Sequence, residues 1–267
     1  MSTIRPPAVA GMFYPADPKH LAHAVQDLLA NVRPKDLAPK ALIAPHAGYI
    51  YSGPIAASAY ATLMPLAERI RRVILLGPTH RVAVRGLALP GADAFDSPLG
   101  RVMLDTQAVS AIASMPQVTV SPQAHALEHS LEVHLPFLQS VLKDFTLLPL
   151  AVGIATAEEV AEVLETVWGG EETLIVISSD LSHFLPYATA QRVDNETAQS
   201  ILELHQPITH DHACGGTPVS GLIVAAQHHR LTPHLLDLRN SGDTAGTREQ
   251  VVGYASFAFT EEANSHG

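Results

Sequence analysis

Short apolar runs that break off at polar residues form the clearest pattern along this chain. Each run has the length of a buried strand, and a segment with helical periodicity follows it. Strands that alternate with helices favour an α/β domain, in which the carboxyl ends of parallel strands meet at one edge of the sheet. We therefore expect the polar residues that follow these runs to lie together. The runs and their polar ends are 41–44 with His46, 73–76 with His80, and 173–177 with Asp180 and His183.

The segments between the runs predict the helices. Residues 18–30 place Leu21 and Val25 on one face, and Asp17 can cap their first turn. Residues 157–168 predict an acidic amphipathic helix. Further helices are predicted from Ser52 or Gly53 to about Ile70, with Pro54 in the first turn, and over 106–115, 128–139 continuing toward Leu142, 188–205 and 219–228.

The remaining apolar runs predict further strands over 145–152, 235–238 and 251–259. Residues 86–90 and 101–104 flank a turn rich in Gly, Asp and Pro, so we predict a β-ribbon there. No linker interrupts the alternation of strands and helices. The sequence thus predicts a single α/β domain over 1–267, with a mainly parallel or mixed central sheet flanked by helices.

Composition narrows the function classes. The chain has 267 residues, 47% of them hydrophobic, and a formal charge of −10, which opposes binding to a nucleic-acid backbone. Cys214 is the only cysteine, so an intrachain disulfide is impossible, and this fits a reducing compartment. We see no signal-peptide pattern and no apolar run that approaches the length of a membrane helix. The expected location is therefore the cytoplasm.

His46 and His80 are the first candidates for metal ligands. Each follows a buried strand beside Pro and Gly, and two histidines in equivalent places favour a function over an incidental role. Cys214 could supply a third ligand. It lies just before a predicted helix and is followed by two glycines, a setting that lowers a thiol pKa and favours the thiolate. The alternative is a small, buried, inert cysteine.

Asp180 and His183 lie where the third apolar run gives way to Ser-Ser-Asp-Leu-Ser-His. An aspartate can orient a histidine and raise its basicity, which would make His183 a general base. The alternative is a helix cap beside an incidental histidine.

A histidine-rich segment and a second histidine pair leave two questions open. Glu132 and His134 are two residues apart and cannot share one helix face, so one of His129, Glu132 or His134 is expected to reach the pocket, without a choice among them. His210 and His212 lie near Cys214 in sequence and form an alternative metal cluster.

Six motifs, spread in order over nearly the whole chain, resemble those of the Memo family, also called AmmeMemoRadiSam system protein B. Memo proteins are similar in fold to the class III (LigB-like) extradiol dioxygenases, which hold a non-haem Fe(II). The motifs are Ala44-Pro-His-Ala-Gly-Tyr, Leu76-Gly-Pro-Thr-His, Glu128-His-Ser-Leu-Glu-Val-His-Leu-Pro, Ser178-Ser-Asp-Leu-Ser-His, Cys214-Gly-Gly-Thr-Pro-Val and Asn240-Ser-Gly-Asp-Thr-Ala-Gly.

The resemblance implies that His46, His80 and Cys214 bind a divalent transition metal, with Fe(II) favoured over Cu or Zn. It also implies an acid–base role for His183, with Asp180 beside it. The ring-cleaving enzymes use two histidines and a carboxylate, whereas this chain has Cys214 in the place of the carboxylate. A thiolate is softer, so we expect a dioxygenase-like oxidoreductase of unknown substrate and do not predict ring cleavage.

Two other functions remain open from the sequence. A cysteine hydrolase would use Cys214 as nucleophile, His183 as base and Asp180 as orienting group. A non-catalytic adaptor would bind a peptide in the same cleft, with Tyr49 as a candidate wall. The family name also implies a protein of a radical-SAM pathway as a partner, while neither nucleic acid nor membrane is expected as a direct partner.

Overall fold

The protein is described from a computed structural model that covers residues 3–261. A large mixed sheet crosses it in the order β10-β12-β2-β9-β3-β8-β4-β7, with β11 paired to β12, and a small sheet has the order β1-β5-β6. The strands are β1 Ile4–Arg5, β2 Pro39–Ala44, β3 Arg72–Pro78, β4 Leu87–Leu89, β5 Ala94–Ser97, β6 Gly100–Met103, β7 Val118–Val120, β8 Thr146–Val152, β9 Thr173–Ser178, β10 His183–Leu185, β11 Thr232–Asn240 and β12 Val251–Thr260.

The four middle strands, β2, β9, β3 and β8, are parallel. At one side β12 runs antiparallel to β2, and at the other β4 runs antiparallel to β8. Helices cover both faces: α1 Pro18–Ala30, α2 Tyr49–Tyr60, α3 Thr106–Ile112, α4 Pro122–Ala126, α5 Leu135–Val141, α6 Ala157–Thr166, α7 Tyr187–Leu202 and α8 Gly216–His228. The predicted α/β class with a mixed, helix-flanked sheet is confirmed.

Both faces of the sheet are buried, which explains why its strands are uninterrupted apolar runs. In β2, Leu42 and Ala44 pack in the core formed with α1, α2 and α5. Ala41 and Ile43 point to the opposite core, formed with α6 and α8. Within residues 3–261, no helix combines the length and the apolar character that a membrane span requires.

The predicted helix 128–139 is wrong in its first turn. Residues 128–131 form a turn, a 3-10 turn spans Glu132–His134, and α5 begins only at Leu135. The carboxylate of Glu128 accepts the backbone N–H groups of His129 and Ser130, each at 3.0 Å. A side chain that captures nearby backbone donors competes with a helix, so the chain turns here instead.

Among the other predicted elements, one helix and the ribbon show differences that bear on the fold. The helix predicted from Ser52 or Gly53 to Ile70 begins at Tyr49, because Gly48 caps it, and a 3-10 turn replaces it after Tyr60. The ribbon predicted from 86–90 and 101–104 is wrong in its pairing. β4 joins the main sheet, whereas β6 pairs with β5, which lies inside the segment expected to be a turn.

Candidate metal centre

Three neighbouring parallel strands deliver the candidate residues to one edge of the sheet. β9 lies between β2 and β3, so the loops that follow these three strands are adjacent. His46 follows β2, His80 follows β3, and Ser178 ends β9. The imidazole centroids of His46 and His80 are 5.1 Å apart. The structure thus places the first two candidate ligands side by side.

A third histidine completes the cluster. His46, His80 and His129 each offer a ring nitrogen, and these three atoms lie within 4.8 Å of one another. The His129 ring centroid is 4.6 Å from that of His80 and 5.4 Å from that of His46. His129 reaches the site because residues 128–131 form a turn rather than a helix. The open choice among His129, Glu132 and His134 therefore falls on His129.

Ser178 sets the tautomer of His46. Its hydroxyl donates to the carbonyl of Ser130 at 2.6 Å, so its oxygen accepts from Nδ1 of His46, also at 2.6 Å. Nδ1 of the neutral ring therefore carries the proton, and Nε2 keeps its lone pair. Burial lowers the pKa of His46 well below its usual value, which keeps the ring neutral. A neutral imidazole with a bare Nε2 is the form that binds metals.

Glu128 orients the ring of His80 and lies close to the ring of His129. Its Oε1 lies 2.8 Å from Nδ1 of His80 and 3.4 Å from Nδ1 of His129. Burial alone would raise the pKa of Glu128, but hydrogen bonds from His80 outweigh it and lower the pKa to about 2. The carboxylate is therefore ionised and can only accept, so Nδ1 of His80 donates to it, and in the neutral ring this leaves Nε2 bare.

Cys214 lies beside this cluster, next to His46. Its Sγ is 3.3 Å from Nε2 of His46 and accepts the N–H of Asp180 at 3.3 Å. Within residues 3–261, no triplet that includes Cys214 meets the 4.8 Å limit. The expected lowering of the thiol pKa at the start of α8 is not found, because burial raises the pKa of Cys214 instead.

Asp180 and His183 occupy different places around the cluster. Oδ1 of Asp180 accepts the backbone N–H of His46 at 2.8 Å, and its Oδ2 lies 3.9 Å from Nε2 of the same residue. Burial raises the pKa of Asp180 to about 7. Burial lowers the pKa of His183, which lines a cavity of about 400 Å³ together with His129 and Asp180. The structure thus places the Asp180 carboxylate against His46 rather than against His183.

The model of a family described as Memo-like protein matches residues 5–258. The chain belongs to the Memo family. It is 36% identical to a MEMO1 family protein of Aquifex aeolicus over 96% of this chain and 99% of the relative. It is 35% identical to a MEMO1 family protein of Archaeoglobus fulgidus, with the same coverage of both chains. An uncharacterized Escherichia coli K12 protein of known structure aligns with a TM-score of 0.49 and 16% identity, over 80% of this chain and 98% of that one.

Glu132, a candidate pocket residue, anchors the N-terminal segment of this Memo-family chain. Its carboxylate is fully buried and pairs with the Arg5 guanidinium. It also accepts the backbone N–H groups of Ala8 and Val9 and the hydroxyl of Tyr14. Since its lone pairs are taken by these donors, Glu132 belongs to the scaffold of the site.

His134 and Tyr49 are likewise held by the scaffold. Nδ1 of His134 bonds the Tyr60 hydroxyl at 2.7 Å, and the Tyr49 hydroxyl donates to the carbonyl of Val133 at 2.7 Å. The His210–His212 alternative gains no support, because the metal-ligating triplet found within residues 3–261 contains neither residue.

Sequence reasoning missed the residues that orient the ligands, above all Glu128 and Ser178. Both lie inside quoted motifs, Glu128 directly before His129 and Ser178 two residues before Asp180. A carboxylate or hydroxyl within the same loops as candidate ligands is a usable signal, because metal-binding histidines usually donate their second ring nitrogen to such groups.

The donor set fits a transition metal. Imidazole nitrogens suit Zn, Cu, Fe and Ni, and a thiol nearby adds affinity for softer ions, whereas Mg²⁺ and Ca²⁺ require oxygen ligands. The His46–His80–His129 group of this Memo-family protein could therefore hold a metal ion.

Proposed function

We propose that this protein is a metal-dependent oxidoreductase whose centre is held by His46 and His80. His129 and Cys214 are the two further donors beside this pair. Fe(II) is the proposed metal, ahead of Cu and Zn, on the resemblance of Memo proteins to the extradiol dioxygenases. The substrate is a small molecule or peptide that enters the cavity of about 400 Å³ beside His183.

One observation carries the proposal. The Nδ1 atoms of His46, His80 and His129 each face an oxygen of Ser178 or Glu128. In the neutral rings of His46 and His80 this leaves Nε2 for a metal ion, the second-sphere pattern that metal-binding histidines show, and His129 adds a third ring nitrogen to the cluster. Histidines of a purely structural role have no need to gather their ring nitrogens at a common centre.

When bound, the metal supplies a redox centre or Lewis acid. The surrounding side chains supply proton positions. The pKa of Asp180, raised to about 7 by burial, lets its carboxyl hold or release a proton next to His46 near neutral pH. His183 faces the cavity, where its imidazole can exchange a proton with a bound substrate.

The hydrolase alternative fits the geometry less well. It requires Asp180 to orient His183, but the Asp180 carboxylate accepts the N–H of His46. It also requires a Cys214 thiolate, whereas burial raises the pKa of that thiol. His46, not His183, is the imidazole that contacts Sγ.

Metal analysis of anaerobically purified protein tests the proposal. We expect about one transition-metal ion per wild-type chain, and a loss of most of it in His46→Ala and His80→Ala. The exposed His23, which pairs with Asp27, provides the control variant His23→Ala, which should retain the metal. His129→Ala and Cys214→Ser then show which further donor is required. Unchanged metal content in both His46→Ala and His80→Ala would disprove the proposal.

A further inference from the structure

Cys214 lines a second cavity, distinct from the one beside His183. This cavity has a volume of about 190 Å³. Its lining residues include Cys214, Thr217, Pro78, Thr79, Val84 and Val152. It shares no lining residue with the cavity of about 400 Å³ beside His183. The two spaces therefore approach the cluster along different walls.

The walls of the small cavity carry no charged side chain of the Asp, Glu, Lys or Arg type. Most are apolar or glycine, and the polar groups are the hydroxyls of Thr79 and Thr217, the imidazole of His210 and the thiol. An ion that entered would lose water without gaining an opposite charge, which is costly. The cavity is therefore suited to a neutral molecule of a few heavy atoms.

The segments that form the cavity also carry the metal-binding candidates. Pro78 ends β3, and Thr79 joins it to His80. Cys214 lies two residues before α8, whose first turn contains Thr217. Beyond the thiol, Nε2 of His46 is only 3.3 Å from Sγ. A molecule in this cavity would thus lie against Cys214, the residue whose Sγ contacts His46 of the proposed centre.

We propose that this cavity is a separate entry to the centre for a small neutral molecule, which reaches the Cys214 side while a larger substrate occupies the cavity beside His183. In the proposed oxidoreductase the small molecule is dioxygen, and this identity rests on the proposed function. The entry itself does not, because it can be measured on metal-free protein. Separate entries would let both reactants approach without displacing each other.

The single cysteine makes the entry measurable. Iodoacetamide is small and neutral, and Cys214 is the one thiol in the sequence, so the rate of alkylation at Cys214, followed by peptide mass spectrometry, reports access to Sγ. Thr217→Phe would fill the cavity, and we expect it to slow alkylation of the metal-free protein about tenfold or more. Thr217→Ser, which keeps the hydroxyl, should retain the wild-type rate. Rates taken over a range of pH correct for any change in the thiolate fraction.

A plug in the other cavity is the matched control. Gln250 is exposed and lines the cavity beside His183, so Gln250→Phe should leave the alkylation rate within about twofold of wild type. Ala83→Phe plugs the small cavity from its exposed wall and replaces Thr217→Phe if that variant does not fold. Xenon-pressurised crystals give an independent readout, with xenon expected in the small cavity of wild type and absent in the plugged variant.

The outcomes separate this inference from the proposed function. Slowing by Gln250→Phe but not by Thr217→Phe or Ala83→Phe would overturn the separate entry, and so would equal slowing by both plugs, which would indicate one continuous cleft. Metal content is measured on the protein without these substitutions, so its result does not depend on the alkylation rates.

Discussion

Glu128 bonds two of the three clustered histidines through one carboxylate. Oε1 contacts Nδ1 of both His80 and His129, and Oε2 accepts the backbone N–H of His80 at 2.6 Å. The same side chain shapes the turn by accepting two further backbone donors. One residue thus shapes the turn that carries His129 and orients the ring of His80.

We expect Glu128→Gln to weaken metal binding by about 10- to 100-fold. A glutamine amide can donate as well as accept, so it permits the tautomer that places the proton on Nε2, and it removes a negative charge beside the metal. Affinity would be measured by competition with a chromogenic chelator. Glu162→Gln, an isosteric change on α6, is the control and should bind metal as wild type does. Wild-type affinity in Glu128→Gln would show that the carboxylate does not position the ligands.

At the scale of elements, structure set by neighbouring residues could be predicted from the sequence, whereas structure set by distant residues could not. The strands that end before His46 and His80 could be predicted, because buried runs bounded by Pro and Gly are visible within a few residues. The sequence accordingly predicts His46 and His80 as candidate ligands. The turn that carries His129 could not be predicted, because Arg5 donates to the carbonyl of Glu128 and pairs with Glu132 from more than 120 residues away. The apolar periodicity of residues 128–139 instead predicts a helix at this position.

The N-terminal segment therefore acts as a clamp on that turn, and Glu132 is its central contact. We expect Glu132→Gln to lower the free energy of unfolding by about 3 kcal/mol or more, because it leaves the buried Arg5 guanidinium without its counter-charge. Glu68→Gln breaks the exposed pair with Lys143 and should cost less than about 1 kcal/mol. Urea unfolding of both variants checks the contrast. Equal losses would mean that the clamp contributes no more than a surface ion pair.

At the scale of the whole molecule, the histidines make folding sensitive to acid. Burial lowers the pKa of five of them, to about 4 for His125 and His129, to about 3 for His134, and also for His46 and His183. The usual value is 6.5, so below that pH the unfolded chain binds protons that the native state does not bind. This contribution to stability is complete above pH 6.5 and is lost as the pH falls below it.

Two buried carboxyls act in the opposite direction. Burial raises the pKa of Asp180 to about 7 and that of Asp194 to about 6, both from 3.8. The native state therefore holds protons on these groups that the unfolded chain has released, so their contribution to stability grows as the pH falls through these values. Five histidines outnumber two carboxyls, so near pH 5 unfolding is accompanied by net proton uptake.

We therefore expect the metal-free protein to lose stability steeply below neutral pH, with a net uptake of about three protons on unfolding and a slope of about 4 kcal/mol per pH unit near pH 5. Urea unfolding at a series of pH values between about 5 and 7 measures this slope. His125→Gln keeps a side-chain donor for the Ala88 carbonyl but cannot titrate. Its net proton uptake on unfolding should therefore be about one proton smaller than that of wild type. His23→Ala, an exposed control, should not change it. Stability that stays level or rises on acidification would show that these histidines are already protonated in the native state, which would in turn leave no bare Nε2 for a metal.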